Sequence, residues 1–310
     1  MRLDDTQARA RDEVLRKYHD GSYELVALPC LCGGSDDETV MELDRYGLPS
    51  PSVLCRACGL VRTTPRLSDP ALAQFYDSDY RSLYTGSPAA TEDFIDGQRA
   101  KGRNFLRFIG DRVEGGTVLD VGCGAGGVLL EFAEAGFATV GCDLGSTYLE
   151  AGRSRGLDLR HGSIAAAADR APFDLVVLSD VIEHVADPGA LLDEVHGYLA
   201  ETGAVFLSMP GLLDIRRYGD PRRYFQNAHL WNFDLAGLRR LAAAHGFTLV
   251  RGDERIYALF RRDPDAAPAA GSSYPATHAT LVRAWRRRHV YEAQRRWRMR
   301  TARRAQARRR

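Results

Sequence analysis

The stretch TVLDVGCGAGG, Thr117 to Gly127, decides how the rest of this chain is interpreted. An apolar segment of strand type runs to Asp120 and then breaks into glycines at 122, 124 and 126, after which VLLEFAEAG restarts as a helix. Glycines allow the backbone to turn sharply and to approach a bound molecule without a Cβ in the way. The stretch therefore predicts a ligand-binding loop between a strand and a helix.

Asp120 indicates which charge the ligand of this loop carries. Gly122, Gly124 and Gly127 also satisfy GxGxxG, a pattern typical of dinucleotide binding, in which a helix N-terminus faces a pyrophosphate. A carboxylate two residues before the first glycine would repel a pyrophosphate, but it suits an ammonium or a sulfonium. A positively charged cofactor fits the loop better, and a nicotinamide dinucleotide is the alternative.

These residues resemble the first motif, DxGxGxG, of the class I S-adenosylmethionine-dependent methyltransferases. In this family the acid that ends the second strand, here Asp143 of ATVGCD, receives the ribose hydroxyls, and the next residue, Leu144, lies beside the adenine. Gly162 and Ser163 follow the third strand, where many relatives carry an aspartate. The cofactor-binding set that the resemblance implies is Asp120, Gly122, Cys123, Gly124, Gly126, Asp143, Leu144, Gly162, Ser163 and Ser179. Cys123, like Cys142, also suits a packing role as a small apolar side chain at a strand end.

Strands and helices alternate along the segments that follow. FDLVVLSD and GAVFLSMP are typical of strands, DLAGLRRLAAAHGF of an amphipathic helix, and FTLVRGDERIYALFRR of an antiparallel hairpin. This alternation predicts an α/β fold, a parallel sheet covered on both faces by helices, with ligands at the carboxyl ends of its strands. The resemblance spans Ala100 to Arg262 and implies a Rossmann-like seven-stranded methyltransferase sheet.

Length and composition predict several units in one soluble chain. The 310 residues are 45% hydrophobic, the N-terminus is charged without the apolar core of a signal peptide, and no run approaches the roughly 20 apolar residues that span a bilayer. We expect a cytoplasmic protein. The expected units are an N-terminal segment with a zinc ribbon (1–66), a tyrosine-rich helical connector or lid (67–100), the S-adenosylmethionine-binding domain (101–262), a linker (263–280) and an arginine-rich tail (281–310).

Four of the six cysteines lie within the first 58 residues, as the pairs Cys30, Cys32 and Cys55, Cys58. Two such pairs separated by a loop of this length are typical of zinc ribbons, and in a reducing cytosol a metal is favoured over a disulfide. The first pair has one intervening residue where ribbons usually have two. The pattern predicts a structural zinc site, and buried unligated cysteines are the alternative.

The N-terminal segment is also similar to that of a subgroup of these enzymes. CGLVRTTPR (Cys58 to Arg66) and the tyrosine-rich FYDSDYRSLY (Phe75 to Tyr84) carry the similarity. The subgroup includes enzymes that methylate sugars and other intermediates of surface glycans and secondary metabolites, and this implies a sugar-like acceptor. Tyr76 and Tyr80 either close over the cofactor or acceptor, or pack the ribbon onto the main domain.

Methyl transfer to a hydroxyl needs two aligned reactants and a base. His184 and His229 are the candidate bases because imidazole titrates near neutral pH. Asp180, Glu183 and His184 also have the spacing D-x-x-E-H, which places them on one face of a helical turn, where they could hold Mg²⁺ or a similar ion with His229 as a fourth ligand. The segment resembles the ExxEH of metal-assisted O-methyltransferases that act on small-RNA ends or quinone precursors. Without a metal, Glu183 would only cap the turn.

The loop from Gly211 to Phe233 is the expected wall of the acceptor site. It follows a strand whose end faces the site, and it mixes aromatic residues with arginines at 216, 217, 222 and 223. Such arginines suit an acceptor with a phosphate or carboxylate, and charges that only keep the loop soluble are the alternative.

The expected tail is strongly basic, whereas the rest of the chain is acidic. Residues 281–310 contain 13 arginines and one glutamate, whereas residues 1–280 carry 29 basic and 40 acidic side chains. Trp285, His289, Ala293 and Trp297 recur every four residues, so the tail could form a basic helix that binds nucleic acid or an anionic membrane, or that docks on the acidic body. The rival functions are an RNA methyltransferase, a C-methyltransferase of a nucleotide keto-sugar, and a scaffold that has lost transfer activity. The sequence does not indicate the oligomeric state.

Overall fold

The computed structural model describes residues 3–87, 89–267 and 270–289. Its N-terminal part begins with a helix whose capping box is formed by Asp4 and Gln7. The elements of this part are α1 (Asp5–His19), β1 (Leu25–Val26), β2 (Asp37–Leu43), β3 (Pro49–Cys55), β4 (Val61–Thr63), β5 (Arg66–Leu67), α2 (Asp69–Ser78) and α3 (Tyr80–Tyr84).

The remaining elements alternate between helix and strand. They are α4 (Glu92–Ile109), β6 (Thr117–Val121), α5 (Gly127–Glu134), β7 (Ala138–Asp143), α6 (Ser146–Arg153), β8 (Asp158–His161), β9 (Phe173–Ser179), α7 (Pro188–Tyr198), β10 (Leu199–Ser208), β11 (Trp231–Asn232), α8 (Leu235–Ala244), β12 (Phe247–Gly252), β13 (Tyr257–Arg262) and α9 over residues 274–289. Among the described residues, none of these helices is both long and apolar enough to cross a lipid bilayer.

A seven-stranded sheet with the order β12-β13-β10-β9-β6-β7-β8 forms the centre of the chain. The five strands from β10 to β8 are parallel, and β13 enters antiparallel between β10 and β12. The strand order reverses at β6 and β9, so their carboxyl ends form the crevice in which α/β sheets bind ligands. This confirms the predicted α/β fold with its closing hairpin.

Helices cover both faces of this sheet. On one face, Phe105 of α4 and Phe132 of α5 pack with Val118, Leu175 and Phe206 of the strands. On the other face, α7 and α8 pack through Leu192, Val195, Leu238 and Ala242. Successive side chains of a strand point to opposite faces, so strands buried on both sides are apolar throughout, as LVVL in β9 is.

The N-terminal cysteine region is joined to the main sheet through β11. The second sheet has the order β11-β4-β3-β2, and β11 comes from the loop after β10, with Trp231 opposite Arg62 and Asn232 opposite Val61. The core also continues across this boundary, because Cys55 and Leu60 belong to the same buried cluster as Trp231. Residues 1–66 therefore share a strand and a core with the domain that follows.

The chain after β13 differs from the expected linker. The helix α9 begins at residue 274, inside the range expected to be linker, and Leu281 and Ala284 are buried with Met41 and Leu54 of the N-terminal sheet and with Phe225. The linker prediction is wrong for residues 274–280, because Thr277 is buried one turn before Leu281 and Ala284 and the helix packs along this face. Arg283, Arg286 and Arg287 lie exposed on the helix, and the rest of the expected tail, including Ala293 and Trp297, lies outside the described residues.

Candidate active site and metal centre

The glycine loop after β6 has the backbone that its sequence predicts. Gly122, Gly124 and Gly126 have φ angles of 74°, 55° and 74°, a region that other residues rarely adopt. A Cβ on Gly122 would lie 2.7 Å from Val181 Cγ2, and one on Gly126 would lie 2.5 Å from Leu157 Cδ1. Both the conformation and the space therefore require glycine, and the loop keeps its backbone open at the carboxyl end of the sheet.

Asp120 is a buried carboxyl group, and one of its oxygens accepts no hydrogen bond among the described residues. The residue is 2% exposed, and its Oδ1 has no hydrogen-bond partner among the described residues. Burial, and then repulsion from Asp143, raise the pKa of the Asp120 carboxyl to about 8. A cation bound beside it would stabilise the ionised form, so the position is suited to a positively charged ligand.

Asp143 at the end of β7 faces the same loop. Its Oδ2 accepts a hydrogen bond from the Gly124 amide at 2.8 Å, and its Oδ1 accepts one from the Gly145 amide at 2.7 Å. Arg81 of α3 places its Nη2 3.7 Å from the same Oδ1. Leu144, next in the chain, is 71% exposed beside this carboxylate, as an apolar surface for a flat ring would be.

The positions of the other expected cofactor residues give weaker support for a role in ligand binding. Gly162 donates its amide to the Asp143 carbonyl at 3.0 Å, whereas Ser163 is exposed and makes no capping hydrogen bond. Ser179 ends β9 opposite Ser208. The sulfur of Cys123 is buried against Gly141, where a Cβ would come within 2.7 Å of it, so this side chain packs beneath the loop.

A second cluster lies in the turn after β9 and in the loop after β10. Atoms of Glu183, His184 and His229 that could bind a metal all lie within 4.8 Å of one another. His184 Nδ1 is 2.9 Å from the Ala228 carbonyl oxygen, which can only accept, so Nδ1 carries the proton. His184 Nε2 is then a free lone pair 3.8 Å from Glu183 Oε1, suited to a proton or a metal ion.

Burial controls the charge of this cluster. It lowers the pKa of His184 to about 4, and together with the neighbouring His184 it lowers the pKa of His229 well below the usual value. Burial and repulsion from Asp180 raise the pKa of Glu183 well above its usual value, and neither carboxylate oxygen of Glu183 has a partner among the described residues. Both imidazoles are therefore neutral near pH 7, the form that accepts a proton or binds a metal.

Asp180 is placed differently from the expectation. It has a φ of 55° and the segment after it is a turn rather than a helix, so the predicted helical face through Asp180, Glu183 and His184 is wrong. The Asp180 carboxylate instead pairs with Lys101 Nζ of α4 at 2.6 Å. His229, expected as an additional ligand, completes the cluster in its place.

Tyrosines of α2 and α3 line the histidine cluster. The Tyr76 hydroxyl is 2.9 Å from His184 Nδ1. The Tyr80 ring is 6.4 Å from the His184 ring, edge on, and stacks on Tyr84 at 4.7 Å. The connector thus covers the candidate centre, and Tyr76 also packs on Phe75 at 5.8 Å.

The four N-terminal cysteines come together as one group. The sulfurs of Cys30 and Cys58 are 3.6 Å apart, those of Cys30 and Cys32 3.6 Å, and those of Cys32 and Cys55 3.7 Å. Four thiolates around a tetrahedral ion with Zn–S bonds of about 2.3 Å would be about 3.8 Å apart. The Gly34 amide also donates to Cys32 Sγ at 3.4 Å, and a hydrogen bond from Cys58 lowers the pKa of the Cys30 thiol. The group fits a zinc ion.

The loop between β10 and β11 uses some of its arginines internally. Arg222 pairs with Asp220 at 2.6 Å, and Arg217 lies 3.9 Å from Asp214. Arg216 is exposed, and Arg223 also has an interaction of its own. Trp231 is buried and donates its indole N–H to the Val185 carbonyl at 2.9 Å, which gives it a packing role.

Sequence reasoning missed two residues of α4. Gln98 holds the glycine loop: its Oε1 accepts from the Gly127 amide and its Nε2 donates to the Cys123 carbonyl, both at 3.2 Å. Lys101, one turn later, acts on both sites, because its charge partly offsets the rise that burial causes in the pKa of Asp120 and of Glu183. Their only sequence signal is their position on the helix that precedes β6.

Residues 95–251 match the family model described as a methyltransferase domain. The chain belongs to this family. Among curated relatives, its methyltransferase domain is similar to ubiquinone biosynthesis O-methyltransferases. The one from Pseudomonas paraeruginosa is 38% identical over 103 residues, which are 30% of this chain and 44% of the relative. The one from Caulobacter vibrioides is 35% identical over 103 residues, which are 31% of this chain and 41% of the relative. The chain thus spans less than half the length of these relatives.

Among solved structures, the chain is similar to magnesium protoporphyrin IX methyltransferase from Synechocystis PCC 6803 with bound SAH. The identity is 16%, the match covers 63% of this chain and 100% of that one, and the TM-score is 0.46.

Proposed function

We propose that this chain is an S-adenosylmethionine-dependent methyltransferase that transfers a methyl group to a hydroxyl of a small molecule. The observation that carries the proposal is the unpartnered Asp120 carboxylate beside three glycines with positive φ, within a methyltransferase domain. S-adenosylmethionine has a sulfonium and an ammonium, either of which offsets the electrostatic cost of ionising this carboxyl. Asp143 and the exposed Leu144 are the residues for the ribose and the adenine.

When bound, the cofactor supplies an electrophilic methyl group: a bond forms between the acceptor oxygen and the methyl carbon while the carbon–sulfur bond breaks. The acceptor proton passes to a base. We assign this base to His184 Nε2 or to His229, since both imidazoles are neutral and buried. Similarity to O-methyltransferases supports oxygen as the acceptor atom. The N-terminal segment supports a sugar-like or other small biosynthetic intermediate.

A metal ion is a second way to use this cluster. Glu183, His184 and His229 offer two imidazoles and one carboxylate, a donor set that suits Zn²⁺, Mn²⁺ or Fe²⁺. Mg²⁺ prefers six oxygen ligands, so the expectation of Mg²⁺ does not fit these residues.

The test uses the purified full chain with methyl-labelled cofactor and acceptors of three kinds: catechols, sugars and RNA, each with and without a chelator. We expect transfer to a small hydroxyl compound that RNase does not affect. His184→Ala and His229→Ala should lower kcat about 10²- to 10⁴-fold, the usual contribution of a general base, without changing the affinity for S-adenosylhomocysteine. His245→Ala is the matched control, because His245 pairs with Asp193 at the surface. Full activity of both cluster variants would refute the assignment of the base.

We also propose that the four cysteines hold a structural zinc ion. The spacing of the sulfurs and the Gly34 amide support it. Metal analysis of the purified chain should find at least one zinc per molecule that Cys32→Ser removes, and a chain that binds none under reducing conditions would refute the assignment.

A further inference from the structure

The hairpin turn between β2 and β3 reaches from the cysteine region to the loop that carries His229. The Asp44 carboxylate accepts hydrogen bonds from the Tyr46 amide at 2.7 Å and the Leu48 amide at 2.9 Å, which shape the turn. It also accepts one from the Asn227 amide at 3.2 Å. The Arg45 amide in turn donates to the Phe225 carbonyl at 3.1 Å. The turn is therefore fixed to the loop, two residues from His229.

Arg45 places a positive charge in this turn. Its guanidinium faces the rings of Tyr46 at 5.0 Å and Tyr84 at 5.4 Å, and Nη2 donates to the Tyr46 hydroxyl at 3.1 Å. Its Nε is buried and donates to nothing among the described residues, within which Arg45 also has no ion pair. The adjacent Asp44 has its oxygens occupied by backbone amides. Burial raises the pKa of Asp44 to about 6 and the charge of Arg45 partly offsets that rise, so at pH 7 Asp44 is an anion that acts on Arg45 by charge alone.

A second donor lies on Asn227, which binds the same Tyr84 that Arg45 contacts. Asn227 is 6% exposed, and its Oδ1 accepts from the Tyr84 hydroxyl at 2.7 Å. Its Nδ2 is buried and donates to the Tyr18 hydroxyl outside normal hydrogen-bond geometry, and a carboxamide nitrogen carries a second N–H besides that one. A buried donor without a partner is costly in a folded protein, so Arg45 Nε indicates that something else accepts from it, and Asn227 offers a further N–H nearby.

These donors and the histidine cluster lie at opposite ends of one aromatic wall. Tyr84 contacts Arg45 and stacks on Tyr80, and the Tyr80 ring approaches His184 edge on. The charge of Arg45 reaches both ends of this wall: it adds to burial and His184 in lowering the pKa of His229, and it partly offsets the rise that burial causes in the pKa of Tyr80. A ring or sugar lying along Tyr80 and Tyr84 would place a hydroxyl near the histidines and its far end near Arg45.

We propose that Arg45 and Asn227 form a subsite for an anionic group, a carboxylate or a phosphate, at the end of the acceptor remote from the methylated hydroxyl. Its role in catalysis rests on the proposed methyltransferase function. A guanidinium held against two aromatic rings is preorganised to donate to a carboxylate or phosphate oxygen, and the carboxamide supplies a further N–H. The N-terminal segment then contributes an acceptor-binding residue in addition to its cysteines.

The test compares acceptors that differ only in the anionic group. Binding of 3,4-dihydroxybenzoate against catechol, and of glucose 6-phosphate against glucose, is measured by calorimetry on the full chain saturated with S-adenosylhomocysteine. The first pair tests a carboxylate and the second a phosphate. We expect one anionic compound to bind about tenfold or more tightly than its neutral partner, as a charge-assisted hydrogen bond gives.

Arg45→Gln should remove this preference and Arg45→Lys should keep part of it. Arg107→Gln, at an exposed arginine of α4, is the matched control. Affinity for S-adenosylhomocysteine reports whether each variant is folded. The absence of an anionic preference in both pairs overturns the subsite, as does a preference that survives Arg45→Gln or that depends instead on the exposed Arg216. Failure of the wild type to bind S-adenosylhomocysteine would instead contradict the proposed methyltransferase function.

Discussion

Replacement of Asp120 by asparagine tests whether this carboxyl is held at the site for its charge. The side chain is 2% exposed, and burial, with Asp143 nearby, raises its pKa from 3.8 to about 8. The folded chain therefore retains a proton on this group at neutral pH, whereas the unfolded chain has released it. Asparagine has a similar shape and carries no charge, so it removes this difference.

The size of the effect follows from linkage between protonation and folding. Below pH 4 the carboxyl is protonated in both states and contributes no pH dependence. Between pH 4 and pH 8 only the unfolded state releases the proton, so the free energy of unfolding of the wild type falls as the pH rises. At pH 7, about three units above the ordinary pKa, the accumulated loss is about 4 kcal/mol. Asp120→Asn should therefore be more stable than the wild type at pH 7, by up to that amount, and close to it at pH 4.

Chemical denaturation across pH 4 to 8 measures this difference, with Asp111→Asn, at an exposed aspartate, as the control. The same carboxyl should ionise when the cofactor binds. Calorimetry in buffers of different ionisation heat should then show nearly one proton released per S-adenosylmethionine bound by the wild type at pH 7, and none by Asp120→Asn, which should bind much more weakly. A variant that is less stable than the wild type at pH 7, or that binds the cofactor as tightly, would refute the reasoning.

Three further perturbations test the cysteine region. Cys32→Ser should abolish zinc retention and make residues 30–58 sensitive to protease, and a fully protected apo chain would contradict this. Gly59→Ala should be more destabilising than Gly33→Ala when both are measured by denaturation. Both glycines have a positive φ, 84° at Gly59 and 74° at Gly33. However, a Cβ on Gly59 would lie 2.3 Å from the Tyr274 amide nitrogen, whereas a Cβ on Gly33 would have nothing within 4 Å. Equal effects would mean that α9 does not dock at Gly59. Thr63→Val removes a 2.8 Å hydrogen bond to the His229 carbonyl, and should lower kcat about tenfold at unchanged cofactor affinity, whereas equal losses of both would indicate general unfolding.

Local pattern was sufficient to predict the central sheet and the glycine loop at its carboxyl end. An acid or a glycine after an apolar segment indicates where a parallel strand ends and its loop begins. Asp120 with Gly122 marks the end of one such strand, and Asp143 marks the end of the next. In a sheet of parallel strands all such ends meet at one edge. Residues far apart in the chain could therefore be assigned to one site without knowledge of their contacts.

The cluster of Glu183, His184 and His229 could be predicted only in part, because its geometry depends on a turn and on a distant loop. The spacing from Asp180 to His184 fits a helical face, yet Asp180 adopts a φ of 55° and turns its carboxylate to Lys101. His229 reaches His184 across 45 positions of sequence because the Leu230 amide donates to the Glu183 carbonyl at 2.8 Å. The spacing of residues within one segment can indicate a helix. It contains no information about which distant part of the chain will form hydrogen bonds with that segment.

The same reason explains why the cysteine region was expected to be a separate unit. Its sequence shows two cysteine pairs, but the contacts that matter are with other parts of the chain. The Thr63 amide donates to the Leu230 carbonyl at 2.9 Å, and the Thr63 hydroxyl donates to the His229 carbonyl. The Cys58 carbonyl accepts from the Ser273 amide at 2.9 Å and from Arg240 of α8 at 3.1 Å.

A zinc ion that fixes Cys55 and Cys58 would therefore fix the strand that positions His229 and the carbonyl that anchors α9. Asp120 and Asp143, by contrast, lie on strands of the central sheet that are paired independently of β11. Loss of the cysteine region should consequently impair the acceptor end of the site more than the cofactor end. In the proposed mechanism the cysteines are then part of the structure that aligns His229 with the acceptor.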